Sequence, residues 1–246
     1  MLDPFHQFVV SPILKIKVGG LDLSFTNSSL SVAVAVAAMV AIFLFGIRDK
    51  KLVPDRFQAL LEAAYMMVAG LVESYVGRAG KPYFPLLLSL FLFILFGNLI
   101  GLIPGMFAFT SHIAVTFSLA LAVLVSITIL GFVLHGMKFF KLFTPRGVPI
   151  LLVPFLFFIE LTSYSIRSVS LSIRLFINMM AGHTIMEVFA GSSGVFVSPI
   201  AKCVAVIVAI GVNVFLTGLD LVVAVLQAYI FTTLACVYLN DAVHLH

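Results

Sequence analysis

Charged side chains are scarce in this sequence. Asp, Glu, Lys and Arg make up 10% of its 246 residues, whereas 62% are hydrophobic and the mean hydropathy is +1.23. A soluble domain averages about 25% charged residues, so the composition indicates an integral membrane protein with little mass outside the bilayer. The net charge of +4 does not indicate nucleic-acid binding, because the basic residues fall in short loops beside apolar segments.

Several local signals are missing as well. The N-terminal segment MLDPFHQFVV lacks a basic region followed by an apolar core, so the first span is expected to direct insertion without a cleaved signal peptide. Cys203 and Cys236 are separated by about 50 Å on one predicted helix, so they cannot bridge and are expected to be packing residues. Neither has a metal-ligand neighbour, and we expect no metal and no cofactor.

The apolar segments predict an all-α membrane protein with five crossing helices and one amphipathic surface helix, in a single membrane domain over residues 1–246. The predicted elements are an outside tail 1–29, a span 30–47, the surface helix 54–76, spans 83–104 and 113–135, and two long helices 149–190 and 199–240. The surface position follows from Glu62 and Glu73, which lie opposite an apolar face. In the tail, alternation around Gly19-Gly20 predicts a small hairpin.

The last two segments are too long for one perpendicular crossing. Each would be about 63 Å as a single helix, against a hydrocarbon core of about 30 Å. Either each breaks into two spans, or each crosses once at a strong tilt. Because residues 155–189 contain no proline and no turn signal occurs near Arg174, we favour two long tilted helices that form a hairpin through the turn at 191–194.

Basic residues give the orientation. Nine of the fourteen Lys and Arg residues fall on one side of the predicted topology, and only Lys15 and Lys17 lie in the tail on the other side. The positive-inside rule therefore predicts an outside N-terminus and a C-terminus in the cytoplasm or matrix.

Two polar lines run along the long helices. Glu160, Arg167 and Arg174 recur at seven-residue intervals, which keeps them within about 20° of one another per step. The same sector also holds Ser163, Ser170 and Asn178. The second long helix carries the series Asn213, Asp220 and Gln227. A guanidinium in lipid costs at least a few kcal/mol unless water or a partner compensates, so the two lines predict an aqueous path.

Structural roles compete with this interpretation. Arg167 could pair with Glu160, two turns away, and Arg174 could pair with Asp220 across the hairpin. Serines in membrane helices commonly bond to their own backbone or to a neighbouring helix, and interhelical bonds are equally expected of Asn98, Asn213, His112 and His135.

Two segments carry a resemblance to a known family. SLSIRLFINMMAGH (170–183) and LQAYIFTTLACVYL (226–239) resemble the a subunits of rotary F-type ATP synthases, and the likeness covers the whole chain, including FGNLIGLIPG (96–105). The resemblance implies a non-catalytic, proton-translocating, multi-pass subunit of a bacterial or mitochondrial inner membrane. Its implied partners are a c-ring, b-type peripheral stalk subunits and lipid, and no nucleic acid. The ATP chemistry is implied to lie in other subunits.

The resemblance also implies roles for single residues. Arg174 matches the arginine that faces a carboxylate of the passing c subunit, with Gln227 and Asn178 at neighbouring family positions. Glu160 matches an acid of the inner half-channel. His183 and Asp220 match the outer half-channel in the order found in mitochondrial and alphaproteobacterial members, whereas many other bacterial members have Glu and then His. Candidate lining residues are Arg167, Ser163, Ser170, Asn213 and Glu187.

Two rival functions belong to other classes. A secondary transporter could use Arg174 for an anionic substrate, but paired halves and discontinuous helices are not evident in the sequence. An intramembrane hydrolase would need a nucleophile with a base or a metal, and neither H-E-x-x-H nor G-x-S-x-G occurs. The choice between protons and sodium ions stays open at this point.

Overall fold

Long α-helices make up most of the chain in the computed structural model. The structure describes residues 11–15, 17–18, 21–22, 24–48, 54–103, 106–143, 152–192 and 199–244. The helices in these ranges are α1 (Asn27–Arg48), α2 (Arg56–Tyr75), α3 (Phe84–Gly101), α4 (Ile113–His135), α5 (Val153–Ser192) and α6 (Pro199–Val243). Within the described residues, five segments are long and apolar enough to cross a membrane: Asn27–Leu44, Gly77–Gly101, Ile113–His135, Val153–Met186 and Cys203–Val243. The prediction of an all-α membrane protein with five crossing helices is confirmed.

The two long helices are unbroken. Helix α5 has 40 residues and α6 has 45, so they measure about 60 and about 68 Å, roughly twice the thickness of a hydrocarbon core. Each is therefore one helix and not two short spans, while its tilt in a bilayer stays a prediction. Gly191, expected in the connecting turn, belongs to the last turn of α5, and residues 193–198 lie outside the described residues.

Two glycines in the left-handed region end helices. Gly77 has φ +71° directly after the C-cap of α2, and Gly136 has φ +58° directly after α4. This conformation is costly for residues with a Cβ and is a common helix terminator. In both places the chain continues as a short 3-10 helix, Gly77–Tyr83 and Gly136–Phe143.

Short strands precede α1. Strand β1 (Pro12–Leu14) pairs antiparallel with β4 (Phe25–Thr26), and β2 (Lys17–Val18) pairs antiparallel with β3 (Leu21–Asp22). The hairpin predicted in this tail is thus present, although Gly19-Gly20 themselves lie outside the described residues.

The chain divides into two compact units. The first comprises 1–42, 93–113 and 175–228, and the second comprises 43–92, 114–174 and 229–246. Two glycines of α3 leave room for large side chains in the first unit. A Cβ on Gly97 would lie 2.6 Å from Cζ of Phe109, and one on Gly101 would lie 3.0 Å from Cε of Met179. Both large side chains are almost fully buried.

The second unit uses the same packing device. The Phe139 ring is fully buried against Gly131, where a Cβ would lie 2.6 Å from Cδ2 of the ring. In this unit Val68, in the C-terminal half of α2, is fully buried, whereas Leu60, nearer the N-terminal end of the helix, is 66% exposed. The predicted apolar face of α2 is therefore only half covered by protein, and the membrane-surface position of α2 stays a prediction.

Both cysteines are free, as predicted from their separation. Cys236 is buried, but Cys203 is exposed. The expectation that Cys203 is a packing residue is wrong, because the first described turns of α6 bury no side chain before Ala209.

Candidate functional site

The polar line on α5 begins on an exposed face of the second unit. Its exposed members are Arg167, Ser170 and Arg174, and its half-buried members are Glu160 and Ser163. The adjacent line of the same helix is buried instead and consists of Tyr164, Ser168, Leu171 and Ser172. One side of α5 is thus packed against protein, and the side with the fixed charges is left open.

Arg174 lies on this open side of α5. Among the residues that the structure describes, none forms a hydrogen bond or ion pair with its guanidinium. The adjacent Ile173 is 38% exposed. The proposed ion pair between Glu160 and Arg167, both of them described, is also not formed. A permanent cation in a segment able to cross a membrane requires a partner or water from outside these residues.

A buried hydroxyl cluster lies beside the polar line in the second unit. Tyr238 Oη donates to the backbone oxygen of Tyr164 at 3.1 Å and accepts from Ser168 Oγ at 3.3 Å. The Tyr164 hydroxyl lies 3.3 Å from Thr128 Oγ1, and the two tyrosine rings meet edge-on at 4.8 Å. This cluster, which ties α4, α5 and α6 together, is not among the features that the sequence predicts. Its only signal was two tyrosines within apolar spans, since a buried Tyr hydroxyl needs a partner.

Asp220 is the buried acid of the first unit. It is 8% exposed, and its carboxyl group packs against Gly182 of α5, where a Cβ would lie 2.8 Å from Cγ and 2.9 Å from Oδ1 of Asp220. Its Oδ2 has no hydrogen-bond partner among the described residues. The side chains of His183 and Glu187 lie outside the described residues, so the predicted pairing of His183 with Asp220 stays a prediction.

The predicted line on α6 is present in the first unit as a row of unsatisfied acceptors. Asp220 and Gln227 are buried and Asn213 is half-buried. One side-chain oxygen of each (Oδ2, Oε1 and Oδ1) is buried and makes no hydrogen bond within the described part of the chain. Such groups are normally satisfied by protein or by ordered water. Asn178, half-buried on α5, belongs to the same unit.

A cavity lies beside this row. Its volume is about 470 Å³, and its lining includes Leu99 of α3, Leu102 directly after α3, and Asn213, Thr217, Gly218 and Leu221 of α6. Most of the lining is apolar, and Asn213 supplies the side-chain amide. The cavity is large enough for water, although an apolar wall holds water poorly.

Two of the expected interhelical bonds are confirmed. Asn98 Nδ2 donates to the backbone oxygen of Ala224 at 3.4 Å in the first unit. His135 Nε2 lies 3.2 Å from the backbone oxygen of Val243 in the second. Among the described residues, no group of three or more His, Cys, Asp and Glu side chains could hold a metal ion.

Comparison with known proteins gives a consistent result. Residues 29–240 match the family model described as ATP synthase A chain. The chain is 46% identical to the ATP synthase subunit a of Parvibaculum lavamentivorans over 99% of this chain and 94% of that protein. It is 46% identical to the subunit a of Chelativorans sp., covering 98% of each chain, and 43% identical to that of Rhodospirillum rubrum over the full length of both.

Proposed function

Because the chain belongs to the ATP synthase A chain family, we propose that it carries protons to and from a rotating ring of c subunits, as a non-catalytic membrane subunit of an ATP synthase. Two aqueous half-channels reach the middle of the membrane from opposite sides without joining, and Arg174 separates them. The ATP chemistry belongs to other subunits of the complex.

The observation that carries this proposal is the exposed Arg174 guanidinium. It has no partner among the described residues, and it lies within Val153–Met186, which is apolar enough to cross a membrane. A permanent charge in such a place is tolerated when a carboxylate or water meets it. A carboxylate on a separate, moving subunit satisfies this requirement.

Arg174 acts in two ways in this mechanism. Its positive charge favours the ionised form of the opposing c-subunit carboxylate, so a proton is released where the carboxylate meets the arginine. Because a guanidinium cannot be deprotonated in a protein, it also cannot pass a proton directly from one half-channel to the other.

The two half-channels use different residues. A proton from outside passes His183 and Asp220 and neutralises a c-subunit carboxylate, which can then turn into lipid at a tolerable cost. After nearly a full turn, the proton leaves near Glu160. Support comes from the buried, unsatisfied Asp220 Oδ2 and from the half-buried Glu160 on the charged side of α5. A potential of 100 mV contributes about 2.3 kcal/mol for each proton moved.

The proposal includes partners and an orientation. The c-ring contacts the face that bears Arg174, b-type stalk subunits hold the chain as a stator, and lipid covers the remainder. The N-terminus is outside and the C-terminus is on the cytoplasmic or matrix side, since nine of the fourteen basic residues then fall inside.

The test is ATP-driven proton pumping in vesicles that contain the whole complex. We expect Arg174→Ala to abolish coupled pumping while the complex still assembles. Arg174→Lys should fail too, because a buried ammonium is compact and loses its proton more readily than a guanidinium. The matched control is Arg78→Ala, which removes an exposed arginine from the 3-10 helix after α2 and should pump normally. Coupled pumping by assembled Arg174→Ala complex would overturn the proposal.

A further inference from the structure

One hydrogen bond in the first unit joins α3 to α6 next to the proposed proton path. Asn98 of α3 is fully buried, and its Nδ2 donates to the backbone oxygen of Ala224 at 3.4 Å. Ala224 is fully buried as well. The acceptor is therefore part of the α6 backbone rather than one of its side chains.

A bond to a backbone carbonyl constrains a helix more than a bond to a side chain does. Inside an α-helix each carbonyl already accepts the N–H four residues further on, and its second lone pair can accept another donor. The Asn98 amide can therefore bind α6 without breaking the backbone hydrogen bonds of that helix. Because a backbone carbonyl cannot rotate independently, the bond favours one rotation of α6 and one level relative to α3 at Ala224.

Ala224, at which the bond meets α6, lies between two residues of the predicted site. Ala224 is four residues after Asp220 and three residues before Gln227, so each is about one helical turn away. Both side chains are buried, at 8% and 6% exposure. A small rotation of α6 at Ala224 would thus move both polar groups.

Packing alone does not account for an asparagine here. The Asn98 Oδ1 is buried and has no partner among the described residues, and a buried unsatisfied acceptor is unfavourable. A leucine would fill a similar volume without that cost. An asparagine is therefore favoured over a leucine only if the bond from Nδ2 to α6, or the binding of a water molecule by Oδ1, contributes to the function of the protein.

We propose that Asn98 is a positioning residue of the proton path, which holds α6 so that Asp220 and Gln227 keep their places and offers its carbonyl oxygen to a path water. This role rests on the proposed function. Asn98 itself carries no proton, and it acts through the two side chains whose helix it holds.

The first test compares Asn98→Leu with wild type in vesicles that contain the whole complex. We expect the pumping rate per assembled complex to fall about fivefold, as expected for the loss of one buried hydrogen bond that aligns the site. The control is Ser89→Ala on the same helix. The exposed Ser89 hydroxyl bonds within α3 to the backbone oxygen of Leu86, so its removal should leave pumping unchanged.

A second variant keeps the shape of the side chain. In Asn98→Asp the protonated carboxyl group can donate to the Ala224 oxygen, and the ionised group cannot. We therefore expect its pumping rate, divided by the wild-type rate at the same pH, to fall as the pH is raised from about 5 to about 9. A constant ratio would contradict a role for the hydrogen bond that Asn98 donates. This variant also decides the question if Asn98→Leu fails to assemble.

The outcomes separate the two proposals. Wild-type vesicles that pump, together with Asn98→Leu at the wild-type rate or a pH-independent ratio for Asn98→Asp, would overturn the positioning role alone. Wild-type vesicles in which the complex hydrolyses ATP without moving protons would overturn the proposed function, and the positioning role with it.

Discussion

At the scale of single residues, the missing side chain at position 182 determines where the Asp220 carboxyl group can lie. A Cβ on Gly182 would come within 2.8 Å of Cγ of Asp220, closer than non-bonded carbons approach in folded proteins. The glycine is therefore needed for space, since its φ is not in the left-handed region. Position 182 belongs to the proposed path although it contributes no polar atom.

We accordingly expect Gly182→Ala to displace the Asp220 carboxyl group and to lower proton pumping by at least about tenfold, since small misplacements of reacting groups are costly. The measurement is pumping by vesicles with equal amounts of assembled complex. Gly211→Ala is the matched control, because a Cβ there meets nothing within 4 Å and alanine favours a helix over glycine. Equal pumping by the two variants would show that Gly182 does not shape the site.

Sequence periodicity points to some of these residues and not to others. Asn213, Asp220 and Gln227 were identified because polar side chains at seven-residue spacing are rare in an apolar helix. The contacts of Gly182 and Asn98 depend on a partner in another helix, namely Asp220 and the Ala224 oxygen. Every residue has a backbone carbonyl oxygen. The residue types along one helix therefore do not show which of these oxygens accepts a bond from another helix.

At the scale of helices, the absence of proline predicted the most unusual elements correctly. Residues 155–189 contain no proline, and α5 is continuous from Val153 to Ser192. Pro199 occupies the first position of α6, where its missing N–H would be unpaired anyway. The hydroxyl cluster was not predicted, because it depends on the register between helices and joins residues 74 positions apart.

The hydroxyl cluster gives a prediction about stability. Tyr238→Phe removes the donor to the Tyr164 backbone oxygen and the acceptor for Ser168, and each lost bond should cost about 1 kcal/mol of unfolding free energy. The temperature at which this subunit aggregates out of the heated, detergent-solubilised complex should therefore decrease. Tyr229→Phe, on the same helix but 38% exposed, should leave that temperature nearly unchanged. An equal effect of both variants would contradict a structural role for the cluster.

At the scale of the whole chain, apolar side chains are exposed as well as buried, and several uncharged polar side chains are buried. Apolar side chains such as Val133 and Phe158 are more than two-thirds exposed, whereas Asn98, Ser172 and Thr232 are fully buried. Lipid solvates an apolar surface with little cost in free energy, so the hydrophobic effect does not drive membrane helices together. They associate instead through close packing at small residues and through buried hydrogen bonds. On such a surface an exposed arginine is the exception that needs a partner.

The partner can be located by crosslinking, and α5 offers two serines for the experiment, Ser170 on the polar line and Ser172 on the adjacent buried line. Ser170 lies about one turn before Arg174 and is exposed, whereas Ser172, two residues after Ser170, is fully buried. A Ser170→Cys variant should form a disulfide under mild oxidation with a cysteine placed beside the c-subunit carboxylate, because disulfide formation needs Cβ atoms about 4 Å apart. Ser172→Cys should give no such product in the same membranes. Equal yields from both positions would mean that the crosslink reports random collision, and a product from Ser172→Cys alone would place the c-ring against a different face of α5.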